Sequence, residues 1–174
     1  TTPSQAFRVM SDLESVCRKW RITLCGGHTE ITDAVNRPVI TGMLAGTVPR
    51  DRLIDKRNMR PGDTVLLTKG VSVEGTSIIA REFGDRLKDL GMEESQIAVC
   101  REFLSQISVL DEARIASENG LASAMHDVTE GGVASALEEL SAAGGHRVRV
   151  LMENIPIFPQ TRMICDLLDI HPLG

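Results

Sequence analysis

The chain has 174 residues, 42% of them hydrophobic and 25% charged, the composition of one or two ordinary globular domains. That excludes a disordered tail, a collagen-like fibre and a coiled-coil rod, and no apolar run approaches the roughly 20 residues that a membrane helix needs. With 19 basic against 24 acidic residues, a net charge of −5, and only 3% aromatic residues, the chain has no global pull on nucleic acid or anionic membrane and no base-stacking surface.

Thr2, Pro3 and Gln5 predict a helix start, with Thr2 and Gln5 as a capping box and Pro3 suited to the first turn. Ala6, Met10, Leu13, Cys17 and Trp20 follow at spacings of four and three, one apolar face expected to be buried. Residues 22–25 read as a short buried strand that runs into the polar loop Gly26-Gly27-His28-Thr29-Glu30. Pro38 opens a second strand over 39–48, in which Gly42 and Gly46 permit a bend or a close backbone approach. The charged, turn-rich stretch 49–62 is the expected domain boundary, dividing 1–49 from 50–174.

Pro61-Gly62-Asp63 is a turn signal before a buried β run over 64–68, and a glycine-containing loop follows from Lys69 to Gly75. A helix is predicted over 76–90, bent or interrupted near Gly84, and another over 93–107 that buries Ile97, Cys100, Phe103, Leu104 and Ile107. Ser108 to Asp111 reads as a capping box for a short helix that Gly120 ends. Residues 121–125 form a strand of small apolar residues leading to His126-Asp127-Val128-Thr129-Glu130-Gly131-Gly132. The helix after it buries Val133, Leu137 and Leu140 and stops at Gly144-Gly145. Residues 146–151 alternate as a half-exposed antiparallel strand, and a last helix spans 159–168. This mixed order predicts an α/β (α+β) fold, a mixed sheet packed with helices. The four cysteines contain no CxxC pair and are expected to be buried free thiols in a reducing cytoplasm.

The strongest chemical signal is the strand–turn–helix at 126–132. Gly131 and Gly132 at a helix start let backbone N–H groups reach a ligand, and the helix dipole favours an anion there by a few tenths to about 1 kcal/mol. Thr129 caps the helix or donates to a phosphate oxygen, and Asp127 holds magnesium or a water. The plainer reading is a capped turn with glycine chosen for close packing; no P-loop is present. A second constellation is His28, Glu30 and Asp33, where carboxylates suit magnesium and His28 suits substrate or phosphate; its plainer reading is a polar surface loop. Lys69, at a strand end, either pairs with a phosphate or is an ordinary loop lysine. His146 and His171 have no assigned role, and Arg147 and Arg149 read as a solvated strand face.

Four segments occur in order: Gly26-Gly27-His28-Thr29-Glu30, Val39-Ile40-Thr41-Gly42, Arg60-Pro61-Gly62-Asp63 with Leu66-Leu67-Thr68-Lys69, and His126 to Gly132. Together they resemble the aminoimidazole ribonucleotide synthase superfamily over nearly the whole chain. Within it the chain looks most like the hydrogenase maturation factor and synthase-related proteins, and its Gly-Gly-His segment is similar to selenophosphate synthetase. The resemblance implies magnesium- and ATP-dependent activation of an amide or carbonyl oxygen, or phosphorylation of a small acceptor. It implies catalytic roles for His28, Glu30 and Asp127, ATP contacts at Gly26, Gly27, Lys69, Thr129, Gly131 and Gly132, and Asp127 as a metal ligand. Residues 1–49 would then end an N-terminal domain, and 50–174 would form a C-terminal α/β domain incomplete at its end. The chain is accordingly expected to be a fragment, inactive alone, of a cytoplasmic homodimer with a small-molecule substrate and neither nucleic-acid nor membrane partners. The alternatives are a non-catalytic dimeric binding or assembly module and a sugar- or nucleotide-phosphate-binding domain of another α/β family.

Overall fold

The capping box that opens the chain forms as its residues dictate. In the computed structural model, which describes residues 2–173, Gln5 N donates to the Thr2 hydroxyl at 3.3 Å and Thr2 N donates to Gln5 Oε1 at 2.8 Å. Helix α1 (Pro3–Trp20) follows and stops at Arg21, whose φ of 56° is left-handed. It belongs to the first of two units, Thr1–Thr47; the second is Val48–Gly174.

Of the apolar face predicted on α1, only Cys17 is buried; Met10 and Leu13 are exposed, as are Phe7 and Val16 beside them. Within this unit no second helix lies over that face, because residues 22–47 form no regular element. Apolar periodicity specifies a helix with one sticky side; burial of that side also needs a partner surface.

The mixed sheet is corrected outright. Among the described residues there is no β-strand, and the regular structure is entirely helical. Residues 22–25, 39–48, 64–68, 121–125 and 146–151, all expected as strands, run as irregular chain. Strand-forming composition is only half of a strand, because the ladder needs a neighbouring backbone to accept and donate its hydrogen bonds. No cross-segment ladder forms among these stretches, and Val39, Ile40, Met43, Leu44, Leu66 and Leu121 are left exposed.

In the second unit, burial is concentrated where helices meet. Helices α2 (Val73–Glu82), α3 (Gly84–Asp89) and α4 (Glu94–Glu102) pack with α7 (Pro159–Leu168) around Ala80, Leu87, Met92, Ile97, Cys100 and Ile164. The helix predicted over 76–90 is thus two, broken at Phe83-Gly84. A Cβ on Gly84 would stand 2.6 Å from Arg101 Nη2, so glycine at this position leaves room for the Arg101 guanidinium. The helix predicted over 93–107 is α4 followed by a 3₁₀ turn over Phe103–Gln106, which buries Phe103 and leaves Leu104 and Ile107 exposed. Phe103 meets Phe158 edge-on at 5.2 Å, and Phe158 in turn covers Gly70 so closely that a Cβ there would fall 2.8 Å from the ring.

Two further helices complete the unit: α5 (Leu110–Glu118) and α6 (Gly132–Gly144). On α6, Val133 and Ala136 are buried while Leu137 and Leu140 are half-buried. Cys17, Cys100 and Cys165 are buried free thiols as expected, whereas Cys25 is exposed. Burial pushes the Cys100 and Cys165 thiols above their usual range, which keeps them protonated and unreactive. No described helix is long and apolar enough to cross a membrane.

One polar pair sits inside this helical core. Thr76 on α2 and Thr161 on α7 are 2% and 1% exposed, and their hydroxyls share a 2.8 Å hydrogen bond. Thr161→Val leaves the Thr76 hydroxyl buried without its partner and should cost about 1–3 kcal/mol in urea unfolding. The double variant Thr76→Val/Thr161→Val should be markedly more stable than the two single losses added together, whereas simple additivity would mean that the hydroxyls do not depend on each other.

Candidate functional site

The turn at 126–132 is shaped by its backbone. Gly131 (φ 73°) and Gly132 (φ 63°) are consecutive left-handed residues, and a Cβ on Gly131 would stand 2.1 Å from Ser135 Oγ. Any other residue at 131 would meet both backbone strain and a clash. Gly132 N donates to the Thr129 carbonyl at 3.1 Å, which closes the turn, and α6 begins at Gly132 with no side-chain cap.

That hydrogen bond changes which amides are on offer. The Gly132 N–H, an expected ligand group, is already used within the turn. The N–H groups of Val133 and Ala134, in the first helical turn, and of Gly131 just before it find no protein acceptor among the described residues. They belong to the set of unpaired donors that every helix start leaves, and they carry the positive end of the α6 dipole. Asp127 and Thr129 stand exposed in the same short turn. Unaccepted amides, the Thr129 hydroxyl and the Asp127 carboxylate thus lie close together along the chain.

His126 holds the turn to its own helix. Its Nε2 lies 2.6 Å from Glu139 Oε2 on α6, and its Nδ1 lies 2.7 Å from the Asp127 carbonyl and 3.3 Å from Asp127 Oδ1. Both ring nitrogens therefore face acceptors, the pattern an imidazolium satisfies with two N–H donors. The Glu139 carboxylate, with help from the Asp127 carbonyl, raises the imidazole above its ordinary range, against burial and the nearby Lys56 ammonium. Neither His126 nor Glu139 was among the expected site residues. The signal was available: Glu139 falls two helical turns beyond Gly132, on the same face as the helix start.

A second tether fixes the approach to this region. Ser123 Oγ donates to Asp63 Oδ2 at 2.6 Å, and Arg60 N donates to the same oxygen at 3.0 Å. Those two donors, the hydroxyl foremost, hold the Asp63 carboxyl below the usual carboxylate range. They join the turn at 60–63 to the chain that delivers His126.

The remaining expected residues are placed differently. Lys69, itself left-handed at φ 60°, pairs with Glu112 on α5 at 2.8 Å and donates to the Ser108 carbonyl, so its ammonium is engaged in a structural contact. Gly26, Gly27, His28 and Glu30 belong to the first unit and are exposed; His28 and Glu30 make no side-chain hydrogen bond or ion pair among the described residues. No group of three or more histidine, cysteine, aspartate or glutamate side chains among the described residues comes together as a metal site. His28, Glu30 and Asp33 therefore do not assemble into a metal centre, and Asp127 is an exposed single carboxylate.

The Lys69–Glu112 pair gives a pH test. The Lys69 contact holds the Glu112 carboxyl below its ordinary value of 4.5, so the pair's stabilisation is present above that value and is lost as pH falls through the folded-state value. Glu112→Gln should lower the urea midpoint at neutral pH, and the difference from the parent chain should shrink at about pH 4 and below. A difference that stays constant with pH would show that the pair contributes nothing through charge.

Comparison with known proteins supplies a family. Carbamoyl dehydratase HypE of Cupriavidus necator is 26% identical over 173 residues, covering 95% of this chain and 45% of its own length. Selenide, water dikinase of Methanococcus maripaludis is 24% identical over 172 residues, covering 93% of this chain and 50% of its own. Phosphoribosylformylglycinamidine synthase subunit PurL of Thermotoga maritima is 25% identical over 142 residues, covering 76% and 22%. The chain spans about half the length of the hydrogenase-maturation relatives it matches. No solved structure gave a significant match. The family described as AIR synthase related protein, C-terminal domain, matches residues 60–171, most of the second unit and well over half of the chain, and the protein belongs to it.

Proposed function

We propose that this chain contributes the phosphate-facing turn of an ATP-dependent enzyme that activates an amide or carbonyl oxygen or phosphorylates a small acceptor. The observation that carries the reading is the start of α6, where the unaccepted N–H groups of Val133 and Ala134 stand beside the exposed Thr129 and Asp127. Backbone donors fixed before the ligand arrives stabilise negative charge without reorganising, which is what phosphoryl transfer asks of a protein. Membership of the family and likeness to a dikinase, a dehydratase and a synthase subunit support the same reaction class.

In this reading the Thr129 hydroxyl donates to a phosphate oxygen, the two amides hold a second, and the His126–Glu139 contact keeps the turn in register with α6. Asp127 is suited to an outer contact with a magnesium–nucleotide complex. The donor set does not fit a resident magnesium ion, since no three ligating side chains converge among the described residues. The roles of His28 and Glu30 stay tied to the family resemblance of their loop.

A second reading has its own observation. The first unit buries little: Cys17 is its one buried residue among those described, while Phe7, Met43 and Leu44 are 75% to 94% exposed. Apolar surface of this kind favours self-association, in keeping with a homodimer that serves as a binding or assembly module.

The test is an NMR titration of the chain with magnesium–ATP, following the amides of 129–134. Saturable shifts centred on Thr129, Val133 and Ala134 are expected, with affinity falling about tenfold, roughly 1.4 kcal/mol, in Thr129→Val and in Ala134→Pro. Proline at 134 removes the N–H of the third helical residue, which has no helical acceptor to lose. Unchanged affinity in both variants would remove the turn from the site.

A further inference from the structure

The segment before the family domain carries a concentration of positive charge that the nucleotide reading does not use. Arg50, Arg52, Lys56, Arg57 and Arg60 fall within eleven positions that hold only Asp51 and Asp55 against them, in a chain whose net charge is −5. Asp55 is spent on Arg57, which it holds through its carboxylate, and the contact draws the Asp55 carboxyl down to about 2. Arg60 lies beside Asp63. Arg50, Arg52 and Lys56 make no ion pair among the described residues.

The same segment is anchored. Met59 packs on Gly144 at the end of α6, where a Cβ would stand 2.9 Å from its sulfur, and His146 Nε2 meets the Met59 carbonyl at 3.1 Å. Between the segment and α6 lies an open groove of about 420 Å³, lined by Leu53, Ile54 and Ala143 together with residues 55–57. Its surface is largely apolar, with Leu53 53% exposed, and the turn Arg50–Arg52 leads directly into it.

We propose that this groove is a docking site for an acidic peptide segment of a partner protein, with apolar side chains of the segment seated on Leu53, Ile54 and Ala143 and its carboxylates paired with Arg50, Arg52 and Lys56. The two halves of the surface decide between occupants. A polyphosphate or nucleic acid would meet the cations but would gain nothing from an apolar floor, and there is no aromatic side chain here for a base. A neutral apolar ligand would leave the cations without partners. An acidic segment with spaced apolar side chains satisfies both, and charge complementarity of this kind sets encounter rate and orientation. The site lies wholly in the second unit; because Lys56 also stands near His126, Arg52→Glu alone and Ala143→Glu separate the groove from the turn at 126–132.

The experiment is fluorescence anisotropy with a short dye-labelled peptide of alternating glutamate and leucine, against an all-glutamate peptide and a lysine–leucine peptide as controls. Saturable binding of the glutamate–leucine peptide alone is expected. It should weaken about tenfold in Arg52→Glu/Lys56→Glu and fall with added salt. Ala143→Glu, at an exposed helix position, should weaken it independently, and circular dichroism melting confirms that each variant is folded. Equal binding of the all-glutamate peptide would overturn the apolar floor. Unchanged affinity in the charge-reversed variant, or no binding to the parent chain, would overturn the site. A dimer in sedimentation that Lys56→Glu dissolves would assign the groove to a second copy and overturn the partner segment.

Discussion

Four helices of the second unit, α2, α3, α4 and α7, are held together by the burial of one small cluster. Leu87, Ile97 and Ile164 are at most 1% exposed, and each comes from a different helix. Truncating a side chain of this kind ordinarily costs about 2–5 kcal/mol, a large share of a domain's net stability. The Thr76–Thr161 hydrogen bond ties α2 to α7 and fixes their relative register in a way that apolar contact alone does not. The 3₁₀ turn after α4 extends the cluster through Phe103 to Phe158, so the chain that leads into α7 is held from both ends.

The candidate site is organised by a different principle. It depends on short-range hydrogen bonds: Gly132 N to Thr129 O, His126 to Glu139, and Ser123 to Asp63. None of these needs a sheet beneath it. The turn keeps its shape because two glycines in succession take left-handed conformations and because the histidine reaches across to its own helix. Lys69 illustrates the contrast. The same sequence logic that suggests a phosphate ligand at Lys69 applies equally to a structural carboxylate, and Glu112 on α5 lies 2.8 Å from its ammonium.

What the sequence made legible was local. The Thr2–Gln5 capping box, the interruption at Gly84, the end of α6 at Gly144-Gly145 and the extent of α7 all follow from residue types at neighbouring positions. The four motif segments pointed to the family that the match over 60–171 shows. What failed was non-local. Residues 39–48 and 64–68 have strand-forming composition, yet pairing depends on a distant backbone that composition cannot specify. The burial of α1 failed for the same reason: Met10 and Leu13 have the right spacing and no covering surface in their unit. Of the two glycine amides expected to face a ligand, Gly132 N–H is used within the turn, while Gly131 N–H and those of Val133 and Ala134 stay unpaired among the described residues, a division that glycine spacing alone does not specify.

Among the described residues, the second unit is held by its helices alone, and the apolar segments expected as strands in either unit run unpaired. Hydrogen–deuterium exchange read amide by amide tests it directly. Amides of α2, α4 and α7 should exchange slowest, and those of 39–48, 64–68 and 121–125 should exchange nearly as fast as in an unstructured chain. Slow exchange running through those three segments would mean that they are hydrogen-bonded strands, and the all-helical account would be wrong.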